Sequence, residues 1–233
     1  MIMRTSAELR QFLYGQGAGL VGIGNMEGIE NCRFQTGVAI AVPLPPRAVA
    51  ALREAPTLEY LDLYHALNQK LDEIVLAGER FLQNAGHNAL AQTTARVKAD
   101  GDNISPLPHK TVATRAGLGW IGKSGLLVTP QYGGAIRLSS LLTDAELDYD
   151  EPVVRSRCGT CGLCVEQCPA GALRGALWEA GMERKQIVDV EACRKKQVEI
   201  MSRRTGIETD LCGKCFAVCA YTRRYLNGSG REE

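Results

Sequence analysis

Cys158-Gly-Thr-Cys161-Gly-Leu-Cys164-Val-Glu-Gln-Cys168-Pro169 is the stretch on which the reading turns, and a partial copy follows as Cys212-Gly-Lys-Cys215-Phe-Ala-Val-Cys219. The first run has the spacing C-x2-C-x2-C-x3-C-P. Two-residue gaps let three thiolates wrap one corner of an iron–sulfur cubane on a tight loop, while the fourth cysteine starts a new turn and points to a second cluster. Pro169 sets the chain direction after it. The copy is one ligand short, because Thr209 stands where a further cysteine would fall, and Cys193 is the candidate left to fill the gap. The count then closes with Cys158, Cys161, Cys164 and Cys219 on one [4Fe-4S] cluster and Cys168, Cys193, Cys212 and Cys215 on the other. Of nine cysteines only Cys32 is spare, and it reads as a small buried hydrophobe. A zinc ribbon would use two C-x2-C pairs but leaves Cys164 and the Cys-Pro step without a role.

The chain around this constellation is ordinary. Its 233 residues are 45% hydrophobic and 23% charged, enough for a core in one domain or two small ones. A net charge of +1 gives no global attraction to nucleic acid. No apolar run approaches the roughly 18 residues of a membrane helix, and Met1–Glu8 lacks the basic and apolar regions of an export signal. A cytoplasmic location without membrane association is therefore expected. Thiols are kept reduced there, which favours metal over disulfides.

An α/β organisation emerges upstream of the cysteines. A short helix is expected from Ser6 to Phe12, then buried strands at Leu20–Gly24 and Val38–Val42, the second stopped by Pro43, Pro45 and Pro46. Thr57 opens the longest helical pattern, with Leu58, Leu61, Leu67, Leu71, Ile74, Val75 and Phe81 on one face and Gly86 at its end. A helix from His109 to Ala116 and strands at Leu126–Thr129 and Ala135–Leu138 complete the domain. The texture turns acid-rich and then cysteine-rich between Asp144 and Pro152. The expected domains are therefore 1–150 for cofactor and substrate and 151–226 for the clusters, with a polar tail at 227–233. Residues 1–150 hold 13 basic and 15 acidic side chains, and 151–233 hold 14 and 11.

Two stretches match phosphate motifs literally. Gly117-Leu-Gly119-Trp-Ile-Gly122-Lys123-Ser124 fits G-x-x-x-x-G-K-[ST], and Gly17-Ala-Gly19-Leu-Val-Gly22 fits G-x-G-x-x-G. Both motifs need a strand before the glycines and a helix after them, so that helix N–H groups meet the phosphates. Here a helix precedes the first and a strand follows it, while the second opens a strand. Nucleotide binding is not expected from either.

With both motifs in hand, the chain resembles the epoxyqueuosine reductase family, whose relatives include corrinoid reductive dehalogenases. The resemblance rests on Ala113-Thr-Arg-Ala-Gly-Leu-Gly-Trp-Ile-Gly-Lys123, on Leu126-Leu127 and Leu141-Leu142-Thr143-Asp144, and on the order of this signature, the C-x2-C-x2-C-x3-C-P run, a lone Cys and C-x2-C-x3-C. It implies a nitroreductase-like N-terminal α/β domain followed by a small ferredoxin-like double-cluster domain. It also implies cobalamin bound with its lower base detached, to which the clusters pass single electrons. A gap-free count puts Asn103, with Asp102 beside it, where the family has its proton-donating Asp. No helical-repeat tail of the kind associated with tRNA follows Cys219, and Ala220 replaces the second Cys-Pro proline. These departures make epoxyqueuosine in tRNA a doubtful substrate, so the substrate is left unidentified.

The remaining candidates follow from side-chain chemistry. His109 and Asp102 are the candidate catalytic groups, His109 as an imidazole able to move a proton near neutral pH and Asp102 as an acid if burial raises its pKa. Gly117, Gly119, Trp120 and Lys123 are candidate cofactor-binding residues, with Trp120 suited to a corrin or flavin face and Lys123 to a phosphate or propionamide. Tyr64-His65 reads as helix surface and core. Arg194-Lys195-Lys196, Arg203-Arg204 and Arg223-Arg224 either offset cluster charge or dock a low-potential donor such as ferredoxin or flavodoxin. The leading expectation is an iron–sulfur oxidoreductase feeding a corrinoid, or else a flavin, in the first domain. The rival is a non-catalytic electron-transfer or activator protein that delivers electrons to a partner protein.

Overall fold

The computed structural model describes residues 6–30, 32–97 and 105–228. The helices are α1 (Ser6–Gly15), α2 (Pro46–Ala51), α3 (Leu58–Gln83), α4 (His109–Arg115), α5 (Leu163–Glu166), α6 (Val190–Thr205), α7 (Lys214–Ala217) and α8 (Ala220–Leu226). Interleaved with them are strands β1 (Leu20–Asn25), β2 (Thr36–Pro43), β3 (Ala89–Ala91), β4 (Trp120–Ile121), β5 (Leu127–Val128) and β6 (Ile136–Thr143). The architecture is mixed α/β, as expected. The chain forms two compact units that interleave in sequence. One takes the chain up to Val42, Ala66–Leu118 and Arg137–Val153; the other takes Pro43–His65, Gly119–Ile136 and the chain from Val154 onward.

The first unit is built on a four-stranded sheet in the order β1-β2-β6-β3, with β1–β2 and β3–β6 antiparallel. Strand β2 is buried from Thr36 to Val42, as a central strand covered on both faces should be. Its Val38, Ile40 and Val42 join Leu9 and Leu13 of α1, Leu71, Ile74 and Val75 of α3, and Leu141 of β6 in one apolar core. Thr57 opens α3 by accepting the Tyr60 N–H, a side-chain cap of the usual kind. The glycines that imitated a dinucleotide loop have a packing role. A Cβ at Gly22 would run into the Ala116 carbonyl oxygen, so its absence lets the end of α4 lie against β1.

The acid-rich segment at 144–150 is fastened within this first unit. Asp150 Oδ2 accepts from the Ile23 N–H at 2.8 Å and from Arg10 Nη2 at 2.7 Å, and the Asp150 N–H donates to the Ile23 carbonyl at 2.7 Å. Thr36 Oγ1 donates to the Ala145 carbonyl. These long-range bonds extend the unit to Val153.

The second unit contains the two-stranded ribbon β4–β5, paired Trp120 to Val128 and Ile121 to Leu127, and the cysteine-bearing helices α5, α6 and α7. Strand β4 and the short β3 and α2 carry no sequence periodicity of their own, because two to six residues are too few to repeat. Helix α6 is capped by Asp189, which accepts from the Ala192 N–H, and ends at Gly206 in the left-handed region, matching the N-cap and C-terminal glycine rules. One small apolar cluster of this unit, Ala172, Leu173 and Val188, has Cys164, Cys168, Cys193 and Cys215 packed against it. Among the described residues no helix is long and apolar enough to cross a membrane.

Candidate metal centre

All nine cysteines are free thiols. Cys164 lies in α5, Cys215 in α7 and Cys193 in the first turn of α6, while Cys158, Cys161, Cys168, Cys212 and Cys219 sit on the loops that lead into or out of these helices. Short helices between ligands turn the chain fast enough to bring thiols from distant positions together.

Mutual repulsion of the thiolates shows how they are grouped, because the interaction decays with distance. Burial raises the Cys164 thiol to about 11, and Cys158, Cys219 and Cys161 push it in the same direction. Burial also raises Cys193, with Cys168 and Cys212 adding to the effect. Burial pushes Cys215 up further, helped first by Cys212 and Cys193 and then by Cys164 and Cys168. The thiols thus gather as Cys158, Cys161, Cys164 and Cys219 in one place and Cys168, Cys193, Cys212 and Cys215 in another. The cross-effect of Cys164 on Cys215 marks the two places as neighbours. These are the sets that the spacing singles out.

Four thiolates held together in a partly buried site repel one another unless cationic iron separates them, so the donor set fits a cluster. A lone zinc ion fits less well. Tetrahedral zinc is satisfied by four thiolates at ~2.3 Å, whereas eight thiols are gathered here in two neighbouring sets. A cubane gives each thiolate its own iron at a separate corner.

Donors surround the sulfurs. Gln197 Nε2 donates to Cys193 Sγ at 3.0 Å. Backbone N–H groups of Tyr221 and Thr222 support the Cys219 thiolate, and that of Lys214 supports Cys212. Each favours the charged sulfur. No motif singles out Gln197, although its position four residues after a ligand on one helix is a signal for contact.

The Gly-Trp-Lys signature lies beside this centre. Lys123 Nζ donates to the Cys161 carbonyl at 2.9 Å. A Cβ at Gly119 would collide with the Val128 carbonyl oxygen, so the glycine permits the β4–β5 ribbon to close. Gly117 adopts φ +70°, and a Cβ there would approach the Glu151 carbonyl at 2.8 Å. Trp120 is 1% exposed. Its ring meets Tyr221 edge-on at 4.8 Å and lies 5.6 Å from the Arg157 guanidinium carbon, and its indole Nε1 has no hydrogen-bond partner. A buried N–H left in that state costs ~1–3 kcal/mol.

In the first unit, His109 opens α4 with Nδ1 2.9 Å from Ser140 Oγ of β6. Burial first, and the Arg137 charge second, lower its pKa to about 4 against an opposing pull from Asp72; the imidazole is uncharged at neutral pH. Gln92 is fixed nearby, its N–H donating to the Ser140 carbonyl and its own carbonyl accepting from Ser139 Oγ. Its Nε2 is buried without a partner. Asp102 and Asn103 lie outside the described residues. Of the basic set, Arg194 pairs with Asp210 at 3.3 Å, Lys196 with Glu199 at 2.6 Å, and Arg224 lies over the Tyr221 ring. Cys32 is half-buried, with Sγ 3.2 Å from the Phe34 carbonyl.

This fold and donor set define an iron–sulfur protein carrying two [4Fe-4S] clusters, and the family model of the 4Fe-4S double cluster binding domain matches residues 157–222. The further resemblance to epoxyqueuosine reductases is borne out. The chain is 31% identical over 164 residues to the epoxyqueuosine reductase of Lactococcus garvieae, covering 70% of this chain and 42% of that protein. It is 43% identical over 134 residues to that of a Synechocystis strain, covering 53% and 42%. The chain thus spans less than half the length of these relatives. Among solved structures, an epoxyqueuosine reductase with an epoxyqueuosine-modified tRNA-Tyr stem loop shares the fold at TM-score 0.60 and 20% identity, over 97% of this chain and 68% of that one. A reductive dehalogenase described for B12-dependent dehalogenation shares it at TM-score 0.70 and 18% identity, over 96% and 33%.

Proposed function

We propose that the chain is a cytoplasmic oxidoreductase. In this reading Cys158, Cys161, Cys164 and Cys219 hold cluster I, Cys168, Cys193, Cys212 and Cys215 hold cluster II, and residues 1–150 hold a corrinoid. The observation that carries the reading is the gathering of eight thiols into two sets of four, with no thiol left over in this region. When bound, the clusters supply one-electron transfer and the corrinoid a strongly reducing metal centre.

The chain's own residues position and shield. Lys123 ties the Cys161 loop to the ribbon, and Gly119 lets the ribbon close. Gln92 Nε2 is a buried donor awaiting an acceptor, a feature that suits a ligand rich in amide carbonyls. His109 is neutral at pH 7 and keeps a hydrogen bond at Ser140 Oγ, which leaves Asp102 as the candidate acid for delivering a proton. The exposed Arg203 and Arg204 suit an acidic low-potential donor such as a ferredoxin or flavodoxin.

For the substrate we take epoxyqueuosine in tRNA. Epoxyqueuosine is named in the relatives and the tRNA stem loop in a solved structure of similar fold, and the doubt raised by Asn103 finds no support in those comparisons. The test is anaerobic incubation of the protein, loaded with iron and sulfide, with cob(II)alamin, a low-potential reductant and an epoxyqueuosine-bearing stem loop. A base-off spectrum and formation of queuosine are expected. Clusters that reduce normally, without corrinoid retention or turnover, would instead identify an electron carrier serving a partner protein.

A further inference from the structure

The unpartnered indole N–H of Trp120 points beyond packing. Trp120 and Val128 face each other across the β4–β5 ribbon, and Gly122, two residues along from Trp120, continues the ladder by donating to the Leu126 carbonyl. Alternate residues of a strand share a face, so Trp120, Gly122 and Val128 project to the same side. That side carries Cys158: a Cβ on Gly122 would lie 2.8 Å from Val128 Cγ2 and 3.5 Å from Cys158 Sγ. The two side chains that clasp the indole belong to the flanks of cluster I ligands. Arg157 immediately precedes Cys158, and Tyr221 follows Cys219 by two residues. Trp120 is therefore enclosed by the segments that carry two of the four thiols, and its only polar atom has no protein acceptor.

We infer that Trp120 Nε1–H donates a hydrogen bond to a sulfur of cluster I and raises that cluster's reduction potential. Reduction adds negative charge to the cluster, so a donor aimed at its sulfur stabilises the reduced form more than the oxidised one. The Arg157 cation on the indole acts in the same direction. Trp120 is a positioning and tuning residue here; it takes no part in bond making. The inference depends on the cluster I ligand set and is independent of the corrinoid and of the substrate.

The test uses protein shown by iron and sulfide analysis to hold both clusters, with its tryptophans labelled with indole 15N. Pulsed EPR of the reduced protein should show a 15N coupling on cluster I, identified as the signal that Cys219→Ser perturbs. The coupling should vanish in Trp120→Phe, which keeps an aromatic ring, and persist in Trp178→Phe. In a redox titration, Trp120→Phe should shift the cluster I equilibrium about tenfold toward the oxidised form, ~59 mV for one electron, with cluster II unmoved. Absence of 15N coupling in the unmutated protein, or an unchanged cluster I midpoint in Trp120→Phe, would overturn the inference.

Discussion

Gln197 donates its side-chain amide to the Sγ of Cys193 at 3.0 Å, across one turn of α6. A donor on a ligand sulfur favours the more negative, reduced cluster. A net hydrogen bond is worth about 1 kcal/mol, and a tenfold change is ~59 mV for one electron. Gln197→Leu should therefore lower the midpoint of cluster II by roughly 40 mV and leave cluster I in place. Redox titration followed by EPR reads both.

Cys193 is the ligand that no local motif announces. Cys193→Ser should strip or convert cluster II alone. Anaerobic iron and sulfide analysis should then fall from about eight of each per chain toward about four. Persistence of both clusters unchanged would remove Cys193 from the ligand set.

His109 gives a sign to the pH dependence of stability. Its folded pKa, about 4, lies below the ordinary 6.5. Between those values the unfolded chain binds more protons than the folded one, so stability rises with pH across the window and is lost as pH falls through it. The slope from this group is at most ~1.4 kcal/mol per pH unit. Denaturation midpoints measured from pH 7 to pH 4 should fall less steeply in His109→Gln than in the unmutated protein.

Gly119 and Gly15 make a matched pair. A Cβ at Gly119 meets the Val128 backbone, whereas one at Gly15 meets nothing within 4 Å. Gly119→Ala should destabilise by about 1–3 kcal/mol, as overpacking does, lowering the melting temperature by roughly 2–4 °C per kcal/mol. Gly15→Ala, at the end of a helix, should be neutral within about 0.5 kcal/mol.

Removing the clusters should affect the two units unequally. The apolar cluster packed against Cys164, Cys168, Cys193 and Cys215 is only Ala172, Leu173 and Val188, so the order of the segments immediately around these thiols depends on the metal they bind. The sheet unit keeps a core running from Leu9 to Leu141. Hydrogen exchange after anaerobic chelation should show protection lost around α5 and the first turn of α6 and retained in β1 and β2.

Much of the cluster centre is legible along the chain, because ligands on tight loops must be close in sequence to be close in space. That rule reaches from Cys158 to Cys168 and from Cys212 to Cys219. The long amphipathic repeat of α3 is legible for the same reason, since a helix face is a local pattern. The fate of the glycines is not legible. Gly22 and Gly119 fit phosphate-loop spacings literally, because spacing records nothing of the carbonyls of Ala116 and Val128 that crowd them. Nor does any local pattern place Ser140 against His109, thirty-one residues away on another element.

The amino-acid order alone determined that this protein bears two sets of four thiolates, and it determined the helices and strands whose periodicity is local. Folding decided which side chains serve those thiolates. The ring of Trp120, clasped between Arg157 and Tyr221, and the ribbon that brings Gly122 up to Cys158 arise from segments dozens of residues apart. Their approach is set by packing and by the exclusion of a Cβ at a few glycines, and such distances are a property of the folded chain.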